Sequence, residues 1–160
     1  MPPEKDTVKL NADGAFVNAD AAGAGMVLRD HAGNVILAAC RKLDHCNDAT
    51  EAELAAIEDG LQLALQWTTL PVMVETDCAV AAKMIKEKGP NNSIYAFRIK
   101  AIRELIQERG SKIDSISHDV NEVSHELAKL GRVQARTEVW LGDFPPEIAL
   151  LVAKECKPGP

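Results

Sequence analysis

The chain has 160 residues, a length that fits one domain with a core of its own. Its apolar fraction of 46% excludes a disordered chain, and no apolar run approaches the roughly 20 residues of a membrane span. A net charge of -6 argues against general attraction to nucleic-acid phosphates.

The opening MPPEKD, residues 1–6, reads as a leader without the pattern of a signal peptide. Residues 8–17 then alternate, with Val8, Leu10 and Ala12 on one side and Lys9, Asn11 and Asp13 on the other. That spacing predicts a half-buried strand ending near Gly14. Residues 22–29 and 34–43 predict two further strands, joined through the turn chemistry of Asp30-His31-Ala32-Gly33-Asn34. The opening is an antiparallel meander.

The period then changes. Leu54, Ile57, Leu61 and Leu65 recur at helical spacing and predict an amphipathic helix over residues 50–67. Val72-Met73-Val74 is a short buried-strand run after Pro71. Helices are expected over 78–88, stopped by Gly89-Pro90, and over 93–109, stopped by Gly110. Residues 113–117 form a last short strand, and Asp119 opens a final helix with an apolar stripe of Val120, Val123, Leu127 and Leu130. A meander followed by strand–helix alternation predicts a mixed sheet with helices on its faces. The domain is expected over 7–135. The tail 136–160 carries Trp140, Phe144-Pro145-Pro146 and the run 148–152, which can fold back on the domain, and ends in a loose Lys-Pro-Gly-Pro.

Three acids stand at the ends of core elements: Asp13, Glu53 and Asp77. Each has an ordinary explanation. Asp13 can be a turn residue before Gly14, and Asp77 can cap the helix that follows it. Thr50-Glu51-Ala52-Glu53 matches a capping box in which Glu53 bonds back to Thr50. Against this, Glu53 shares its helical row with Ala56, Ile57, Gly60 and Ala64, small residues that bring another element close. All three acids can converge at one sheet edge, where clustered carboxylates would raise one another's pKa values. A pair of Mg2+ ions, with Mn2+ able to substitute, removes that conflict and can act on a phosphodiester.

Two other residue sets bear on partners. Many of the cations fall between Lys83 and Lys112, including Lys86, Arg98, Arg103 and Arg109. They form either a solvated helix surface or a local patch beside a phosphate backbone. Cys40, Cys46, Cys78 and Cys156 show neither paired nor zinc spacing and read as reduced thiols of an intracellular protein, nuclear or cytoplasmic.

These segments together resemble the ribonuclease H type 1 family, and in particular the plant ribonuclease H-like domains of retrotransposon polyproteins. VKLNADGAF looks like its opening strand, ATEAELAAIEDGLQLAL like its Glu-bearing helix, VETDCAVAAKMI like its third-acid segment and NEVSHELAKLG like its closing helix. The likeness runs over about residues 6–152, tail element included. The resemblance implies an α/β fold with a five-stranded mixed sheet in order 3-2-1-4-5, flanked by helices. It also implies two-metal hydrolysis of the RNA strand of an RNA–DNA hybrid by a monomeric nuclease with no membrane partner. Carried over, Asp13 would bridge two metals, Glu53 would bind one, and Asp77 would bind one and orient the water. Asn47 and Thr50, on the approach to the helix, are candidates for substrate contact.

The chain also departs from the family. The fourth acid falls on His125, which can ligate a metal although Mg2+ prefers oxygen, so the second site is weakened or retuned. His125 can equally be a surface histidine in a row with Asn121, Lys129 and Arg132. The loop histidine of the cellular enzymes falls on Ser115, and the arginine of the plant motif falls on His118. With only residues 89–93 between the middle helices there is no basic handle, and weak substrate affinity is expected. The rival readings are a nucleic-acid-binding module without catalysis and an interaction domain docking through the tail around Trp140.

Overall fold

The structure is a computed structural model, and it describes residues 5–155. Residues 1–4 of the leader, the thiol of Cys156 and the terminal Lys-Pro-Gly-Pro lie outside the described residues.

Three strands open the chain: β1 (Val8–Asn18), β2 (Ala21–Arg29) and β3 (Val35–Leu43). They pair antiparallel as a meander, with Asp13 opposite Gly25 and Gly25 opposite Cys40. Helix α1 (Ala49–Trp67) leads to β4 (Val72–Thr76), and α2 (Ala79–Lys86) and α3 (Ala96–Glu108) lead to β5 (Lys112–Ser115). A single 3-10 turn at His118–Val120 precedes α4 (Glu122–Gln134). The chain continues as β6 (Glu138–Leu141), a second 3-10 turn at Pro146–Ile148 and α5 (Ala149–Glu155).

The sheet order is β5-β4-β1-β2-β3-β6. The expected order 3-2-1-4-5 is present within it, and β6 adds a sixth strand beside β3, with Ala39 opposite Val139. The helices divide the core in two. Val8, Leu10 and Ala12 join Leu54, Ile57 and Leu61 of α1 in the larger cluster on one face. Val27, Ala38 and Cys40 meet Val123 and Leu127 of α4 and Ile148 and Val152 of the tail on the other.

The final helix differs from its expected start. Asp119 and Val120 belong to the 3-10 turn, and Val120 is 58% exposed rather than part of the stripe. The stripe that remains is Val123 and Leu127, with Leu130 half-buried. The reason is Asn121, whose side chain is drawn into the sheet and ends the turn before α4 can begin. Helix α3 likewise begins later than residue 93, because Ser93 closes a turn by accepting from the Ala96 amide at 3.2 Å.

Strands β1 and β4 run parallel and pair only from Val8 with Val72 to Asn11 with Glu75. Strand β1 does not end near Gly14 as expected but runs on beside β2 to Asn18, so Asp13 lies within it, just past its last pair with β4 and near Asp77 at the carboxyl end of β4. In open α/β sheets that end is where the connections diverge and leave a crevice for ligands.

Candidate metal centre

The cap of helix α1 stands two residues earlier than the Thr50 pattern suggested. Asp48 is the N-cap, its Oδ1 accepting from the Glu51 amide at 2.8 Å. Glu51 reaches back to accept from the Asn47 amide at 2.6 Å. The reciprocal capping pair is therefore Asp48 and Glu51. Glu53 has no part in the cap.

Its row decides where it points. Ala56, Ile57 and Ala64 are fully buried, and Leu10 of β1 packs on Gly60. At Gly14 the backbones of β1 and α1 nearly touch: a Cβ there would lie 2.4 Å from the Ala52 carbonyl carbon. That contact brings the first turns of α1 against β1 beside Asp13 and carries the Glu53 carboxylate to it.

Asp77 does not cap α2. The N-cap is Cys78, which makes no side-chain capping bond, and the Cys78 amide donates to the Thr76 hydroxyl at 3.1 Å. Asp77 is left free to face the crevice. Asp13, Glu53 and Asp77 each offer a carboxylate oxygen, and these atoms all lie within 4.8 Å of one another.

The electrostatics of this trio are adverse without a counter-charge. Asp13 is only 2% exposed, and burial raises its pKa, with Asp77 adding to the rise while Glu53 and His125 bond to it and oppose the rise. Glu53 is pushed up to about 11, first by burial and then by the charge of Asp13, a hydrogen bond shared with it, and the charge of Asp77. One of its oxygens, Oε2, is buried with no hydrogen-bond partner. An oxygen in that state is costly unless something donates to it or binds it. The donor set is three carboxylates, the hard oxygen ligands that Mg2+ and Mn2+ take, so the residues present fit such ions.

Two histidines complete the wall. His125 on α4 places Nδ1 2.8 Å from Asp13 Oδ2. His118 in the 3-10 turn places Nδ1 2.8 Å from Asp77 Oδ2, and that bond raises its pKa above the usual imidazole value. The rings meet edge to face at 4.9 Å. His125 is thus a site-lining residue, although the group whose ligand atoms all fall within 4.8 Å of one another contains only the three acids. His118 was missed as a site residue by sequence reasoning, which saw only a missing arginine. The available signal was its seven-residue spacing to His125 across a turn and a helix start.

Asn121 was also missed. It is 1% exposed, donates to the Ala12 carbonyl at 3.1 Å and accepts from Asn11 at 3.1 Å. It fastens the start of α4 to the residue next to Asp13. Ser115 is exposed at the end of β5 and lies outside the acid group. Asn47 is exposed and Thr50 half-buried at the first turn of α1, neither in the acid group.

The cation-rich stretch is largely occupied with the fold. Arg103 donates to the carbonyls of Met84, Ile85 and Gly89 at the end of α2. Arg109 donates to the carbonyls of Leu65 and Thr68, and Arg98 pairs with Glu58 at 3.1 Å. The arginines of this stretch are structural ties. Lys83, Lys88, Lys100 and Lys112 remain exposed.

Comparison with known proteins places this arrangement. A family model described as reverse transcriptase-like matches residues 11–131. No protein of curated function matches the sequence. Among solved structures, ribonuclease H1 of the halophilic archaeon Halobacterium salinarum aligns at TM-score 0.72 and 19% identity, over 81% of this chain and 99% of its own. LC11 ribonuclease H1 in complex with an RNA/DNA hybrid aligns at 0.62 and 21%, over 80% and 98%. The foamy viral protease-reverse transcriptase in complex with RNA/DNA hybrid aligns at 0.66 and 18%, over 80% of this chain and 20% of its own. With its matched span reaching from the strand of Asp13 through the helix of His125, the chain belongs to the reverse transcriptase-like family and has the α/β fold of type 1 ribonuclease H.

Proposed function

We propose that the protein is a metal-dependent endonuclease that hydrolyses the RNA strand of RNA–DNA hybrids. The observation that carries the reading is the convergence of Asp13, Glu53 and Asp77 just past the point where the parallel pairing of β1 and β4 ends. When bound, two divalent ions, Mg2+ or Mn2+, supply positive charge at the phosphodiester and acidify a water at neutral pH. Asp13, the most buried of the three, would be a ligand to both ions. Glu53, whose metal-free pKa is raised, would hold an ion through the oxygen that otherwise has no partner. Asp77, hydrogen-bonded to His118, would hold an ion and orient the attacking water. His125 fixes the Asp13 carboxylate at the place of the family's fourth acid.

The substrate class is supported by the relatives solved with RNA/DNA hybrid. A hybrid is read through groove shape and 2′-hydroxyls rather than base edges, which suits a surface without a strong cationic field. Asn47 and Thr50, at the lip beside Glu53, are the proposed contacts to that strand.

A second reading is a hybrid-binding module without catalysis. It is favoured by the two imidazoles, which occupy Asp13 and Asp77 where further carboxylates would help hold an ion. Cleavage of labelled hybrid in Mg2+ and in Mn2+ separates the two. Product that disappears in Asp13→Asn supports the nuclease, and no product from folded protein at high concentration rules it out.

A further inference from the structure

Helix α4 carries His125 to Asp13, yet its own first turn lacks the usual cap. The N-cap residue Asn121 makes no side-chain capping bond, because its amide is spent on Ala12 and Asn11. The first amides of such a helix need an acceptor from elsewhere, and a carboxylate is favoured there by the helix dipole. That acceptor comes from the far end of the chain. Glu155, the last residue of α5, accepts from the Val123 amide through Oε1 at 3.4 Å. Its Oε2 accepts from Arg29 of β2 at 2.6 Å, with the two side chains only 19% and 10% exposed.

We propose that Glu155 is a positioning residue for the acid cluster, holding the first turn of α4, and so His125, against Asp13. The inference rests on that cluster being the working site. The tail is then part of the site's support as well as part of the core. Arg29 makes the device two-ended: its guanidinium is buried, its Nε has no partner, and Glu155 is the only carboxylate paired with it among the described residues. One carboxylate therefore ties β2, α4 and α5 at a single point. Val152 and Ile148 pack beside it on Val123 and Leu127, so the tie sits over a dry contact rather than in solvent.

A purely structural ion pair and a positioning tie differ in what happens when both charges are removed. Removing one partner of a buried pair leaves an uncompensated charge, whereas replacing both by apolar groups often restores stability. Three variants separate the roles: Glu155→Ala, Glu155→Gln and the pair Arg29→Met with Glu155→Met. Each is measured by melting, by amide hydrogen exchange over residues 122–126, and by kcat and KM for hybrid cleavage in Mn2+.

Glu155→Ala is expected to lower the melting temperature, speed exchange at 122–126 at least tenfold and lower kcat several-fold with KM unchanged. Glu155→Gln keeps an acceptor for Val123 and holds exchange within about threefold of wild type. The double variant recovers the melting temperature while exchange stays fast and kcat stays low. Recovery of exchange and kcat together with melting would overturn the proposal and leave Glu155 as a charge partner only. If the wild type does not cleave hybrid, the nuclease reading fails, and the exchange data still decide whether Glu155 holds the α4 turn.

Discussion

Gly14 is the point at which a single methyl group tests how the site is assembled. A Cβ at this position would stand 2.4 Å from the Ala52 carbonyl carbon and 2.5 Å from the Glu53 amide nitrogen. Ordinary van der Waals contact begins at 3.4 Å, so strand and helix would have to part by about 1 Å. The obstacles are backbone atoms, and no rotamer change relieves them. Gly14→Ala is therefore expected to cost about 1–3 kcal/mol as overpacking. For a domain of this size that is a fall of roughly 2–12 °C in melting temperature. The same displacement moves Glu53 away from Asp13, and a misplacement of about 1 Å costs on the order of 100-fold in rate. Calorimetric Mn2+ titration and initial rates of hybrid cleavage, both well below the melting temperature, read the second effect apart from the first. A Gly14→Ala protein with wild-type Mn2+ affinity and rate would refute the claim that this contact builds the site.

The remaining predictions concern charge and caps. The pKa of Glu53, raised from 4.5 to about 11 when folded, means that the folded state binds the extra proton between those values. Metal-free stability therefore falls as pH rises through that window, by up to about 1.4 kcal/mol per pH unit. Glu53→Gln should raise the metal-free melting temperature at pH 8 and flatten its pH profile; a lower value than wild type would contradict the assignment. Asp48→Ala should cost about 1–2 kcal/mol in urea unfolding and Thr50→Ala no more than about 0.5, since Asp48 is the cap. Equal costs would return the cap to Thr50. His125→Asp should tighten Mg2+ binding in calorimetry and lower the metal-free melting temperature, because a fourth carboxylate joins the repulsion. Unchanged Mg2+ affinity would remove His125 from the ion's surroundings.

The strand–helix order and the three acids were legible because each rests on a local pattern. Alternation marked β1, and the row of Glu53 with Ala56, Gly60 and Ala64 marked a buried helix face. What sequence could not decide was which of two overlapping capping frames operates. Asp48-x-x-Glu51 and Thr50-x-x-Glu53 both satisfy the pattern, and the choice is made by Gly14 pressing on Ala52 and by Tyr95 bonding to Asp48. The sixth strand was hidden for a similar reason. Glu138–Leu141 is four residues long, and it becomes a strand only through pairing with β3, about a hundred positions earlier. Val120 kept the helical period but lost its place in the core, because Asn121 is committed to the Ala12 carbonyl. His118 carried no local sign of its partner, since its contact with Asp77 spans 41 positions. Most of these corrections have a like cause: a contact distant in sequence chose between local options.

The central claim is that Asp13, Glu53 and Asp77 grip divalent ions, and a Mn2+-soaked crystal measured for anomalous scattering tests it most directly. The account predicts anomalous peaks bounded by these three carboxylates, which Asp13→Asn abolishes or weakens. Saturating Mn2+ that leaves the crevice between β1 and β4 without a peak, in a crystal with the fold intact, would contradict it.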